Sequence, residues 1–246
     1  MQYHLNGELV PREEATVSVD DRGFRYGDAV FETCRAYGGE VYAWDRHVDR
    51  LREGCETLGM AEAAPDDIAV RVAETLDAND LADAYVRISV SRGVQPGKLT
   101  PQPDVDPTVV VYVKPLPRGG VDGEPVTDSY RPDEALMRDV DGNVAEGATS
   151  NLFFVDDGVL KTPAAGSLLP GITRELVVEF AEAEGFPVET GRYSLDDVRE
   201  ADEAFLTNST WELRPVERVD GIAVGDGPMT SLLRRLYDER VEERCY

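Results

Sequence analysis

Lysine and histidine are scarce in this chain. Its 246 residues hold three lysines, Lys98, Lys114 and Lys161, and two histidines, His4 and His47. Two histidines are too few for a metal cluster, and neither lies near a Gly-x-Ser-x-Gly nucleophile motif, so neither a metal site nor a Ser-His-Asp triad is expected. Cys34, Cys55 and Cys245 are far apart with no Cys-x-x-Cys pair, which speaks against a zinc site and a disulfide framework. No run of eighteen apolar residues occurs, so no membrane-spanning helix is expected. The start, Met-Gln-Tyr-His, lacks the basic-then-apolar order of an export signal, and a cytoplasmic location is the expectation.

Acid is what the chain has in excess. Forty-nine acidic residues against 25 basic ones give a net charge of −24. Such a surface repels nucleic acid and anionic lipid, so neither is an expected partner. Strong acidity often accompanies disorder, but here 41% of residues are hydrophobic and apolar periodicity persists throughout. A salt-rich cytoplasm suits this composition, because screening removes the self-repulsion. The length allows one large or two modest domains with ample core.

Residues 1–20 alternate around Gly7 as a hairpin would. Val30–Tyr37 reads as a strand, turned at Gly38-Gly39 into Val41–Trp44. Asp45 is placed to cap a helix running to about Leu58, with Val48, Leu51 and Cys55 on one face. Ile68–Leu76 is a second helix, and Ala84–Val90 and Thr108–Lys114 are β-branched strands. These complete an α/β domain over 1–115. Pro115–Pro132 carries three glycines and four prolines and reads as a linker, placed at 116–132. A second domain, 133–246, follows: a strand at Glu134–Arg138, a hairpin, a helix over 174–184, a strand at Ala204–Leu206, a turn at Asn208-Ser209-Thr210 and a helix at Met229–Glu243.

The second domain is organised around Asp141–Arg174. Two apolar runs, Asn151–Val155 and Val159–Thr162, flank Asp156-Asp157-Gly158 and read as a hairpin. The stretch closes on Leu169-Pro170-Gly171-Ile172-Thr173-Arg174, a loop opening a helix. A helix start offers unpaired N–H groups and partial positive charge, a natural seat for phosphate. Glu146, in a Gly- and Ser-rich turn, is placed to face a ligand cation. On residue types alone a water-filled helix start and a solvated glutamate are the favoured reading.

Three separated blocks, DGNVAEGATSNLFFV, LKTP and LLPGITR, resemble in order the class IV (fold-type IV) pyridoxal-phosphate aminotransferases. That family includes branched-chain and D-amino-acid aminotransferases and aminodeoxychorismate lyase. The resemblance implies a two-domain α/β (α+β) fold with a small N-terminal domain and a larger C-terminal pseudo-barrel domain. It also implies pyridoxal 5'-phosphate as cofactor, a homodimer, and an amino acid or amino-chorismate as substrate. FETCRAYGG and TNS lean toward the lyase. A branched-chain or D-amino-acid aminotransferase is the alternative, and a non-catalytic cofactor-binding relative is a reading of another class.

The resemblance also assigns residues. Arg50, in HVDRL, matches the phosphate arginine. Ile172 and Thr173 match the helix-start donors, and Ser209 and Thr210 a second phosphate-side turn. Glu146 matches the carboxylate that keeps the ring nitrogen protonated, and Leu169 packs near the ring face. Tyr26, Phe31 and Arg35 match the substrate pocket. Tyr85 and Arg87 alternate onto one strand face, and Arg87 and Arg92 are candidates for gripping a substrate carboxylate, which arginine binds in a fork.

The match breaks at one place. Relatives carry the Schiff-base lysine, with a nearby Asn-Tyr, before the strand that reads DEAL. Here only the Pro115–Pro132 segment occupies that place. It holds no lysine, and its glycines and prolines forbid a helix of about ten residues. An internal deletion that removed the lysine, the tyrosine supporting the cofactor's phenolic oxygen, and a strand plus helix accounts for this and leaves the C-terminal domain truncated. None of Lys98, Lys114 and Lys161 lies in the matching motif, so no catalytic residue is assigned.

Overall fold

The computed structural model describes residues 1–118, 134–166, 168–225 and 227–246. The chain divides into two compact units, residues 1–118 with 245–246, and residues 119–244. The expected linker lies outside the described residues except for Leu116–Arg118.

Unit 1 contains β1 (Gln2–Leu5), β2 (Glu8–Pro11), α1 (Arg22–Tyr26), β3 (Ala29–Tyr37), β4 (Glu40–Val41), α2 (Trp44–Thr57), α3 (Ile68–Asp77), β5 (Ala84–Ser91) and β6 (Thr108–Pro115). The strands form one antiparallel sheet in the order β2-β1-β6-β5-β3-β4. Side chains alternate across a strand. Cys34, Ala36, Val86, Ile88, Val90, Val109, Val111 and Val113 therefore share one face and form the core with Val48, Leu51 and Cys55 of α2 and Ile68, Val72 and Leu76 of α3. Phe31, Thr33, Arg35, Tyr85, Arg87, Tyr112 and Lys114 take the other face, as the register Thr33↔Arg87↔Tyr112 and Arg35↔Tyr85↔Lys114 requires.

Two local expectations need correction. The second strand of the β3 hairpin ends at Val41, because Ala43 turns left-handed (φ 55°) and Trp44 already opens α2. Ala43 is the N-cap residue; Asp45 sits in the first turn, where its charge favours the helix dipole without capping a backbone group.

Unit 2 contains β7 (Leu136–Arg138), β8 (Val144–Gly147), β9 (Asn151–Asp156), β10 (Val159–Pro163), α4 (Ile172–Ala183), β11 (Val188–Gly191), α5 (Leu195–Arg199), β12 (Glu203–Asn208), β13 (Glu212–Pro215), β14 (Arg218–Val219), β15 (Ile222–Ala223) and α6 (Pro228–Cys245). Five strands pair in the order β11-β10-β9-β12-β13, and β7-β8 and β14-β15 form separate two-stranded ribbons. Among the described residues this ladder stays open. The β9–β10 hairpin turns on Asp157 (φ 53°) and Gly158 (φ 73°); two left-handed residues are what a two-residue turn matched to strand twist requires. One face of β9 and β12 carries Leu152, Phe154, Ala204 and Leu206 into a core with Val144, Tyr193 and Val198. The opposite face carries Asn151, Phe153, Phe205 and Thr207, with the Phe153 and Phe205 rings stacked at 5.0 Å. Glu146, expected in a turn, lies on β8, a strand too short and glycine-flanked to stand out in the sequence.

The terminal helix is anchored by a buried acid. Glu203, 4% exposed, accepts hydrogen bonds from Met229 N (3.1 Å), Thr230 N (2.7 Å) and Thr230 Oγ1 (2.8 Å), the opening turn of α6. Glu203→Ala strands these donors and removes the favourable charge at the helix start. It is expected to lower stability by about 1–3 kcal/mol in chemical denaturation. A loss below about 0.5 kcal/mol contradicts the capping role.

Candidate functional site

In unit 2 the predicted residues gather at one end of the five-stranded sheet, around a side chain the sequence reading missed. Asn151 opens β9 and is 5% exposed. Its Nδ2 donates to Glu146 Oε2 (3.2 Å) and to the Leu169 carbonyl (3.0 Å). Glu146 Oε2 also accepts from Leu169 N (2.9 Å). Two acceptors face the amide, so its NH2 end must point at them. The Oδ1 end lies against Gly171: a Cβ built there would sit 1.9 Å from it. Glu146, Leu169 and the start of α4 are thus drawn onto one residue.

The start of α4 is open. Its N-cap is Gly171, which offers no side-chain acceptor, and no side-chain cap bond is made. Ile172 and Thr173 are buried in its first turn. Across the sheet, Thr207 stands directly opposite Asn151 on the same face. It is 1% exposed, and its Oγ1 is buried without a partner among the described residues. Beyond it, Asn208 Oδ1 accepts from Thr210 N, Thr210 Oγ1 and Trp211 N at 2.7–3.0 Å, folding Ser209 and Thr210 into a tight turn. Asn208 Nδ2 holds this turn to the Thr149 carbonyl (3.1 Å).

The segment between Glu146 and Asn151 is shaped by Glu134, also missed. Its carboxylate accepts from Ala135 N, Ala148 N, Thr149 N, Thr149 Oγ1 and Ser150 Oγ at 2.7–3.0 Å. Burial pushes its pKa up, but the Thr149, Ala135 and Ser150 hydrogen bonds prevail and hold it below the usual glutamate value. The signal in the sequence was the polar cluster Ala-Thr-Ser-Asn before an apolar run; its partner, 14 to 16 residues upstream, was not readable.

The donor set fits one kind of ligand. Uncapped helix N–H groups and hydroxyls suit a phosphate. Glu146 keeps Oε1 without a donor among the described residues, and so suits a protonated ring nitrogen. The orphaned Thr207 hydroxyl on this face is a further donor awaiting an acceptor.

Lysine does not complete the set within unit 2. The sequence of 119–244 contains one, Lys161. It pairs with Phe154 in the ladder, so it projects from the face opposite Asn151, and its Nζ is bound to Asp156 Oδ2 at 2.6 Å.

In unit 1, Arg50 lies on α2 and forks onto Glu32: Nε to Oε1 and a terminal nitrogen to Oε2, both 2.8 Å. His47 Nδ1 meets the same Oε2 at 2.8 Å. Burial raises the Glu32 pKa, but bonds from Arg50 and His47 outweigh it and keep the acid ionised. Glu32, Cys34 and His47 form one group of potential metal ligands among the described residues. Arg50 already supplies the cation there. Burial, then the Glu32 charge, pushes the Cys34 thiol far up, so it does not offer a thiolate.

Of the substrate-side residues, Arg87 stacks 3.6 Å over Phe31, which is 57% exposed, and Tyr85 shares their sheet face. Burial raises the Tyr85 pKa, but hydrogen bonds with Thr33, Tyr112 and Arg87 bring it below the usual phenol value. Tyr26 is exposed beside Arg22. Arg35 is buried, with a bond to the Pro117 carbonyl. Arg92 is 5% exposed and its guanidinium binds Asp28, Gly59 O and Leu58 O, which ties it into the unit's interior.

The family model described as amino-transferase class IV matches residues 29–132 and 127–219. The chain belongs to this family, whose members depend on pyridoxal phosphate. A putative branched-chain-amino-acid aminotransferase of Methanocaldococcus jannaschii is 34% identical over 273 residues, 97% of this chain and 95% of the relative. A D-alanine aminotransferase of Listeria monocytogenes is 30% identical over 283 residues, 100% of this chain and 98% of the relative. Among solved structures, a branched-chain amino acid aminotransferase crystallised with pyridoxamine 5'-phosphate superposes with a TM-score of 0.89 at 29% identity, covering 99% of this chain and 94% of that one. The 4-amino-4-deoxychorismate lyase of Pseudomonas aeruginosa gives 0.79 at 27% identity, covering 99% and 100%. The fold is thus the mixed α/β fold of fold-type IV enzymes. A chain of 246 residues cannot fill an alignment of 273, so at least 27 positions of the M. jannaschii relative face no residue here.

Proposed function

We propose that this chain binds pyridoxal 5'-phosphate through non-covalent contacts and acts, with slow turnover, on the amino group of an amino acid or amino-chorismate. The observation that carries this is the pairing, around Asn151, of a carboxylate with an open oxygen and an uncapped helix start. In this reading Glu146 holds the ring nitrogen protonated. The N–H groups of Ile172 and Thr173, the Thr173 hydroxyl, Ser209 and Thr210 hold the phosphate, with Arg50 assigned to the same group, and Leu169 packs on the ring. Arg87 takes a substrate carboxylate, and Tyr26, Phe31, Arg35 and Tyr85 belong to the substrate side; Arg92 is taken out of that set, because Asp28, Leu58 O and Gly59 O occupy its guanidinium. When bound, the cofactor supplies an aldehyde that combines with amines and a ring that withdraws electrons. A cytoplasmic homodimer is part of the same proposal.

FETCRAYGG and TNS favour aminodeoxychorismate lyase within the family. The M. jannaschii and Listeria relatives support branched-chain or D-amino-acid transamination as the second reading.

The test is borohydride reduction of the protein saturated with pyridoxal 5'-phosphate, followed by peptide mapping across Lys98, Lys114 and Lys161. The expected result is a cofactor that dialyses away, no stoichiometric lysine adduct, and turnover about 10²–10⁴-fold below a lysine-dependent rate. A stoichiometric adduct on any lysine defeats the non-covalent reading. Failure to bind at all defeats the cofactor assignment.

A further inference from the structure

We propose that Asn151 is a positioning residue that sets the spacing between the ring-nitrogen carboxylate and the phosphate-binding helix start; this rests on the reading above. Three contacts meet in it. Its NH2 group holds Glu146 and the Leu169 carbonyl at 3.2 and 3.0 Å, and its oxygen abuts Gly171. Glu146 and Leu169 are bonded to each other as well, through Leu169 N at 2.9 Å, so the three form a closed triangle. A triangle has no free hinge. The carboxylate and the first turn of α4 keep a fixed separation only while all three sides are intact.

Burial makes the arrangement firm. Asn151 is 5% exposed, and no water shell competes for its donors. Its backbone is locked into the central ladder by the pairing with Thr207. Asn151 itself has no donor left for a ligand, since both amide hydrogens are taken. It therefore acts through Glu146 and α4.

The consequence is a coupling between the two ends of a ligand. A molecule that joins a pyridine nitrogen to a phosphate gains from both contacts only if their spacing is held; each fragment alone gains from one. Loosening the triangle removes the coupling and leaves the separate contacts.

The experiment compares three probes on the full chain: pyridoxamine 5'-phosphate, pyridoxamine and inorganic phosphate. Binding is followed by equilibrium dialysis and fluorescence. Asn151→Asp keeps the shape and removes the donors; Asn151→Ala removes the side chain. Both variants are first checked for folding by circular dichroism, and hydrogen exchange is read at the Leu169 amide. The expected result is a loss of about 10- to 100-fold for pyridoxamine 5'-phosphate, little change for either fragment, and faster exchange at Leu169. If the variants keep the wild-type affinity for the whole molecule, or lose inorganic phosphate to the same degree, the positioning role is overturned while the cofactor reading stands. If the unaltered chain binds none of the three, both fall together.

Discussion

Replacing Asp28 with alanine is expected to cost about 3–5 kcal/mol. Asp28 accepts Arg22 Nε at 2.7 Å and Arg92 Nε at 2.8 Å, and a terminal nitrogen of Arg92 at 3.1 Å. The two arginines are 4% and 5% exposed. They also hold the Lys98 and Leu99 carbonyls and those of Leu58 and Gly59, so Asp28 neutralises a clamp joining the end of α2 to the loop after β5. Without it two buried cations face only carbonyl dipoles. Asp28→Asn separates charge from shape and is expected to lose most of the same amount.

The acid dependence has a definite sign. Burial raises the Asp28 pKa, but the hydrogen bonds and charges of Arg92 and Arg22 prevail and set it below the usual aspartate value. The unfolded chain therefore binds the proton first. The contribution is complete above the unfolded value of about 4 and disappears as pH falls through the lower folded value. Chemical unfolding of the wild type and Asp28→Asn from pH 7 to pH 3 should show a gap that is constant near neutrality and closes in acid. A gap that widens in acid contradicts the assignment.

The second large effect is expected from a single methyl group. Gly171 has φ −75°, an ordinary value, so alanine would normally stabilise the chain there by about 0.4–1 kcal/mol. Its Cβ, however, would lie 1.9 Å from Asn151 Oδ1 and 3.1 Å from Asn151 Cγ. Neither side can yield cheaply, because Asn151 is tied to Glu146 and Leu169. Gly171→Ala is expected to destabilise by about 1–3 kcal/mol. It is also expected to weaken pyridoxamine 5'-phosphate at least tenfold, about 1.4 kcal/mol. The sign is decisive: a variant more stable than the wild type removes the case for close packing at this point.

Periodicity carried much of the fold into view. The strands of β3, β5 and β6 and the helices α2, α3, α4 and α6 follow from alternation or helical spacing, and the Asp157-Gly158 turn from its residues. Short elements escaped. The strand β8, the ribbon β14-β15 and the helices α1 and α5 have five residues or fewer, too few for a period to show. The family was legible in wording alone, and Glu146 with Gly171–Thr173 came with it. Asn151 was not, because what makes it matter are acceptors 5 and 18 residues away. Arg92 shows the same limit from the other side. As a letter it is a cation suited to a carboxylate, and only the fold reveals that Asp28, Leu58 and Gly59 occupy its guanidinium.

The closed triangle at Asn151 has a selective consequence. Opposite jaws fastened to one pivot measure length. A pyridine ring whose phosphate arm is one bond longer or shorter would seat one end and miss the other, however well its charges match. Discrimination among vitamin B6 analogues should therefore follow reach before it follows charge, as a gauge block does rather than a magnet.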